Sequence, residues 1–253
     1  MYILYGGKFT RTVCVQMLLE EGGLPYELRE IDILRGEHRE PEYLAINPAG
    51  YVPALVTPEG QVLHEAAAIM LYLADRHGLD DLAPRLDEPD RGLFYSKLFF
   101  LTNDVQPAMK RSYFPHRYST DEADAPRIKA QAVRMAKERW EVVDGHLAAN
   151  GPYHLGKRFS LVDLYMVMWA ALFEPPEELF AHCPAVKTCY DLVAARPKVT
   201  PLLKEHETVG AEFRAATSAS GRMRRKSKSS VPETAIESVV ANIQRMEAGE
   251  PPR

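Results

Sequence analysis

Apolar and polar positions change rhythm several times in the first third of the chain. Tyr2 to Tyr5 is a short β-rich run closed by Gly6-Gly7. Residues 11–21 (RTVCVQMLLEE) carry apolar side chains at helical spacing and end at Gly22-Gly23, a helix stop. Tyr26 to Ile33 alternates apolar and charged residues, the period of a strand. Ala54-Leu55-Val56 and Gln61-Val62-Leu63 flank Pro58-Glu59-Gly60 and predict a hairpin. Ala66 to His77 predicts a helix, stopped by Gly78. A strand–helix–strand start implies a parallel pair with a right-handed crossover. The hairpin adds antiparallel strands, so the expected product is a small mixed sheet with helices on its faces.

The pattern then changes. Residues 79–90 (LDDLAPRLDEPD) are acidic, contain two prolines and read as a linker. From Arg91 to about Glu205 there is no strand rhythm, and segments 91–112, 125–149, 160–174 and 184–195 read as helices. The expected organisation is an α/β domain over 1–78, a linker over 79–90, an all-helical domain over 91–205 and a basic extension over 206–253. In that extension, residues 218–230 carry five basic side chains and no acid. They read as a solvated linker or as an arm attracted to phosphates or membranes. Residues 232–248 read as a short amphipathic helix.

Composition removes several function classes. Acids outnumber bases 35 to 31, which argues against nucleic acid as a partner, since that footprint is a basic excess. No apolar run approaches the ~18 residues of a membrane span, and the start MYILYGGKFTRT lacks the layout of a signal peptide. Cys14, Cys183 and Cys189 are too few and too scattered for a disulfide framework, which fits a reducing, cytoplasmic setting. The eight histidines form no ligand-spaced cluster, so no metal is expected, and GxSxG, HExxH, GxGxxG and P-loop motifs are missing from the sequence.

The most informative stretch is Asn47 to Arg76, NPAGYVPALVTPEGQVLHEAAAIMLYLADR. Pro53 precedes a strand, where it cannot donate to a ladder and belongs at the first position or a bend. The backbone of Val52 is thereby an edge on which an extended peptide can pair. Twelve residues after Pro53, Glu65 stands before a helix whose first N–H groups suit a carboxylate, and Glu65 itself suits an ammonium group. One edge, one anion site and one cation site describe a receptor for a small zwitterionic peptide.

The string NPxGxVPxLxxxxGxxLxExxAIxxYL resembles the glutathione-binding half of cytosolic glutathione S-transferases of bacterial type, and the α/β-then-helical order agrees over about residues 1–205. The resemblance implies a thioredoxin-like domain followed by a C-terminal helical-bundle domain, glutathione as cofactor, and a homodimer. The implied activity is transfer of alkyl or aryl groups, a detoxification chemistry, in which glutathione attacks a small hydrophobic electrophile. It implies that Val52 pairs with the cysteinyl unit of glutathione, with Pro53 cis and Tyr51 beside it, and that Glu65 and the amide of Ala66 hold the γ-glutamyl end. Gly36-Glu37-His38-Arg39 resembles a GEHK segment that meets the glycyl carboxylate, which makes His38 and Arg39 candidates. Ala66 stands where the family usually has Ser and leaves only a backbone amide.

The donor that would stabilise the glutathione thiolate belongs between strand 1 and helix 1. Phe9 falls where many classes carry Ser, Thr or Cys, and it has no hydroxyl. Thr10-Arg11-Thr12 resembles a Ser-Arg-Ser of a bacterial subgroup; that register makes Thr10 the donor and Arg11 an added charge. Tyr5 and Thr12 are the alternatives, and Cys14 reads as core. Ser160-Leu161-Val162-Asp163 is a capping box with Asp in place of the usual Glu or Gln, a structural feature. Tyr113, Phe114 and Arg117, in a stretch rich in aromatics and bases, are the expected second-substrate pocket. Phe9, Ala66 and the basic tail also fit a rival, a non-catalytic binding or interaction protein on the same fold. Neither the electrophile nor the type of glutathione chemistry is readable from the residues.

Overall fold

The computed structural model describes residues 1–33 and 35–224, with side chains described as far as Glu212. The helix expected over 232–248 lies outside the described residues. The order is β1 (Tyr2–Gly6), α1 (Thr12–Glu21), β2 (Tyr26–Glu30), α2 (Pro41–Leu44), β3 (Ala54–Val56), β4 (Val62–His64) and α3 (Ala66–His77). Among the described residues, the α-helices that follow are α4 (Arg91–Phe100), α5 (Gln106–Tyr113), α6 (Ala125–Asn150), α7 (Leu161–Ala171), α8 (Pro176–His182), α9 (Pro184–Ala194) and α10 (Thr200–Arg224). This is a thioredoxin-like N-terminal pattern followed by an all-helical region.

The residues divide into two compact units, and the chain passes between them more than once. Of the described residues, one holds those within 1–13, 26–65 and 204–224; the other holds 14–25 and 66–203. In the first, the four-stranded sheet has the order β2-β1-β3-β4. β1 and β2 are parallel, with Leu4 opposite Leu28, and the other two pairings are antiparallel, with Leu4 opposite Leu55 and Leu55 opposite Leu63. The alternation along β1 buries Tyr2 and Leu4, the period-2 consequence of a strand with one face inward. The expected strand 26–33 ends three residues early, at Glu30.

In the second unit α7 is buried along its whole length, as an element apolar all round must be. Trp140, Phe94 and Leu98 are fully buried as well, and Trp169 is nearly so. The capping box is present. The Asp163 carboxylate accepts the Ser160 N–H at 2.8 Å and its hydroxyl at 3.2 Å. It also accepts the N–H and the ring Nδ1 of His154, at 2.9 and 2.8 Å.

The stretch 79–90 is tied down. The Leu82 carbonyl accepts the N–H of Leu161 at 2.8 Å, and buried Arg91 donates to the Pro84 carbonyl at 2.5 Å and to Asp75 at 2.7 Å.

Three helical readings change. The single helix expected over 91–112 is interrupted by a π-turn at Leu101–Val105, because Pro107 lacks an N–H and crowds the turn before it. α8 was concealed by Pro175-Pro176, although Pro at the first position with Glu177 and Glu178 in the first turn is a start signal. α10 continues through 206 to Arg224, so the start of the basic run is helical. Its residues 211–216 (AEFRAA) include good helix formers.

Candidate active site

The site is built within the first unit, on the loop from Gly6 to Thr12 and on the segment 38–65. Arg11 connects the two. Its guanidinium donates to the Glu65 carboxylate at 3.5 Å and to the Val52 carbonyl at 3.3 Å. Arg11 is 13% exposed, whereas the Glu65 carboxylate is 65% exposed. One cation therefore touches both groups singled out by the NPxGxVP…E string, although 41 and 54 residues separate them in sequence.

The backbone at this point is unusual. Among the described residues Glu65 and Phe9 are the non-glycine residues with positive φ, at 66° and 52°. Such conformations are uncommon for residues with a Cβ and persist only where surroundings hold them. The Val52-Pro53 bond is cis, and both residues are buried.

Two residues unassigned from sequence hold the edge. The hydroxyl of Tyr43, on α2, donates to the Tyr51 carbonyl at 2.7 Å, and the Asn47 amide donates to the same oxygen at 2.6 Å. Asn47 was visible in the motif, but its role was not. Tyr43 is 3% exposed, and burial raises its pKa to about 12 against the smaller lowering by Asn47 and Arg11, so it serves as a neutral donor at physiological pH. Gly50, at φ 62, is where the loop passes Arg39; a Cβ there would lie 2.7 Å from Nη1 of Arg39.

The expected residues fall as follows. Thr10 is buried; its hydroxyl lies 2.6 Å from the Gly7 carbonyl and 2.8 Å from the Thr12 hydroxyl, and it accepts the Thr12 N–H at 3.2 Å. Thr12 is 1% exposed and packs on Gly6, where a Cβ would meet its Oγ1 at 2.0 Å. The Tyr5 hydroxyl accepts an N–H from Arg29 at 2.8 Å. His38 is buried, whereas Arg39 is exposed, donates to the Ala49 carbonyl at 3.2 Å and lies 5.6 Å from the centre of the half-exposed Tyr51 ring. Ala66 is the first residue of α3 and is 1% exposed.

The second unit holds the other expected cluster. Tyr113 ends α5, its ring centre is 6.4 Å from that of Phe114, and the Arg117 guanidinium lies 4.2 Å from the Phe114 ring centre. Phe114 is 38% exposed. These side chains form a contiguous aromatic and cationic surface. His154, Asp163 and Cys189 form a buried trio in which Asp163 accepts from both neighbours. With its carboxylate also capping α7, this trio is accounted for by structure.

Comparison with known proteins bears on both the N-terminal and the helical regions. The family model for the glutathione S-transferase N-terminal domain matches residues 14–76, and that for the C-terminal domain matches 106–206. Glutathione S-transferase 3 of Zea mays is 32% identical over 203 residues, 77% of this chain and 89% of that protein. The uncharacterised GST-like protein YncG of Escherichia coli K12 is 26% identical over 211 residues, 83% of this chain and the whole of that protein. A glutathione transferase homologue from Sulfitobacter, crystallised with bound glutathione, superposes with a TM-score of 0.75 at 27% identity, covering 81% of this chain and 98% of that one.

Proposed function

The chain belongs to the glutathione S-transferase family, and from that premise we propose that it binds glutathione and activates its thiol for attack on a small hydrophobic electrophile. The observation that carries the reading is Arg11, which touches both the Glu65 carboxylate and the Val52 carbonyl. Those are the two groups that would receive the γ-glutamyl ammonium and the cysteinyl backbone. Arg39, exposed beside Tyr51, supplies the charge for the glycyl carboxylate. His38, in the same turn, is buried. The backbone N–H of Ala66 serves the γ-glutamyl carboxylate without a hydroxyl to assist it.

The chemistry needs a thiolate. A free thiol has a pKa of ~8.5, and lowering it by ~2 units takes ~2.7 kcal/mol of differential stabilisation. Arg11 supplies positive charge next to the Val52 edge. Thr10 supplies a hydroxyl that rests 2.6 Å from the Gly7 carbonyl. Turning that hydroxyl to sulfur exchanges a neutral hydrogen bond for a charge-assisted one, roughly twice as strong. The thiolate sulfur then bonds to the electrophilic carbon, and the leaving group departs with its electron pair. Tyr113, Phe114 and Arg117 are the side chains we assign to the electrophile. The same reading includes a cytosolic location, where glutathione is reduced, and a homodimer. A monomeric sedimentation coefficient at micromolar concentration would count against the dimer.

A second reading has a specific observation in its favour: Thr10 already has a partner for its proton, and Phe9 and Ala66 remove two hydroxyls. In that reading the protein binds glutathione or another partner without catalysis. Titrating reduced glutathione at pH 7 while following thiolate absorbance separates the two. A saturable rise, lost in Thr10→Ala and kept in Tyr5→Phe, supports the enzyme. Binding without a thiolate signal supports the non-catalytic module, and no binding at millimolar glutathione sinks both glutathione readings.

A further inference from the structure

Phe9 does not hold its left-handed backbone alone. What seats it comes from far along the chain, at His206 and Gly210, in the part of α10 that belongs to the same unit. The Phe9 and His206 ring centres are 5.2 Å apart, tilted by 45°. One helical turn on, Gly210 comes so close to the same ring that a Cβ there would lie 2.3 Å from Cε2 and 2.8 Å from Cδ2. Beside them, Lys8 pairs with Glu205 at 3.1 Å. Gly210 is buried inside a helix, where alanine is the better helix former. The glycine therefore works against α10 as a helix and is explained by the ring that occupies the space.

The loop thus pinned is the one that bears the chemistry. Thr10 follows Phe9 directly, its hydroxyl tied to Gly7 and Thr12, and Arg11 reaches Glu65 and Val52 from the next position. If the ring leaves its seat, Phe9 relaxes toward negative φ, and the peptide planes that aim Thr10 and Arg11 turn with it.

We propose that Gly210 is a positioning residue of the site: the notch left by its missing side chain seats the Phe9 ring and thereby holds Thr10 and Arg11 where the glutathione sulfur is received. This rests on the glutathione reading above. It makes α10, outside the glutathione-binding motif, part of the machinery that sets thiol ionisation.

The test uses the full chain with Gly210→Ala, Phe9→Ala, the double variant, and Gly145→Ala as the reference. Gly145 is a glycine inside α6 whose added Cβ would meet nothing within 4 Å. Three quantities are measured: the thermal midpoint, hydrogen exchange of amides 7–12, and thiolate absorbance in a glutathione titration. Gly145→Ala is expected to raise the midpoint, as better helix propensity requires. Gly210→Ala is expected to lower it, to speed exchange at 7–12 about tenfold or more, and to reduce the thiolate fraction severalfold at saturating glutathione. Placed on Phe9→Ala, the same substitution is expected to raise the midpoint, because no ring remains to collide with. A Gly210→Ala protein that behaves like Gly145→Ala, with exchange at 7–12 unchanged, overturns the seat. Faster exchange with an unaltered thiolate fraction overturns the positioning role. A wild-type protein that binds no glutathione overturns that role together with the reaction; midpoint and exchange still report on the seat, so the two failures are distinguishable.

Discussion

Glu65 combines a well-exposed carboxylate with a backbone of φ 66°, and the two properties have separate consequences. An ion pair whose carboxylate is open to water and whose partner stands 3.5 Å away, as in Arg11–Glu65, contributes ~0–1 kcal/mol to stability. A charged hydrogen bond to a ligand is worth ~1.5–3 kcal/mol. Glu65→Gln should therefore leave the urea midpoint nearly unchanged while weakening glutathione binding in calorimetry by about tenfold or more. Glu65→Gly should bind equally weakly yet melt higher, because glycine adopts positive φ without strain. Equal melting of the two variants would remove strain from the account of this residue. The carboxylate was legible in the motif, because its type and spacing carry the chemistry. Its dihedral angle was not, since that is imposed by the junction of β4 and α3.

At the scale of elements, the cap of α7 does more than its four-residue signature announces. Read from sequence, the box supplies an N-terminus worth ~0.5–2 kcal/mol. In the structure Asp163 is fully buried and accepts five hydrogen bonds, two from Ser160, two from His154 and one from the Cys189 thiol at 3.7 Å. Removing the carboxylate strands all those donors in the interior. Asp163→Ala is accordingly expected to cost about 3–5 kcal/mol in urea unfolding, the range for breaking a buried pair, whereas Ser160→Ala should stay near ~1 kcal/mol. A loss for Asp163→Ala no larger than that for Ser160→Ala would mean that His154 finds other partners. Helix existence was legible wherever apolar spacing ran uninterrupted, as in α1, α3, α6 and α7. Continuity was misread at Pro107 and existence at Pro175-Pro176, where a residue that breaks helices in their interior also begins them.

For the whole molecule, the described structure bears on the thiols. All three cysteines are fully buried. Burial raises Cys183 to about 12, and burial followed by the Asp163 carboxylate raises Cys189. A buried protonated thiol reacts only when the surrounding structure opens. Alkylation of the native protein at pH 8 should consequently be slower than that of the urea-unfolded chain by roughly a thousandfold or more, following the unfolded fraction. Rapid labelling of one cysteine under native conditions would show that its surroundings open without global unfolding. This slow background also leaves glutathione as the thiol whose ionisation a titration reports.

Local information determined a great deal. The period of apolar residues placed the strands of a small mixed sheet and most helices, and the NPxGxVP…E string singled out Val52, Pro53 and Glu65 as candidates, because each of these readings uses only residues in one continuous stretch of sequence. Other features required the folded chain. Arg11 meeting Glu65 and Val52, Tyr43 and Asn47 holding the Tyr51 carbonyl, and α10 supplying Gly210 to Phe9 are contacts between segments distant in sequence. Hydrophobic period sets which face of an element turns inward. It carries no information on which distant residue will stand opposite; that is decided by close packing among all the elements at once.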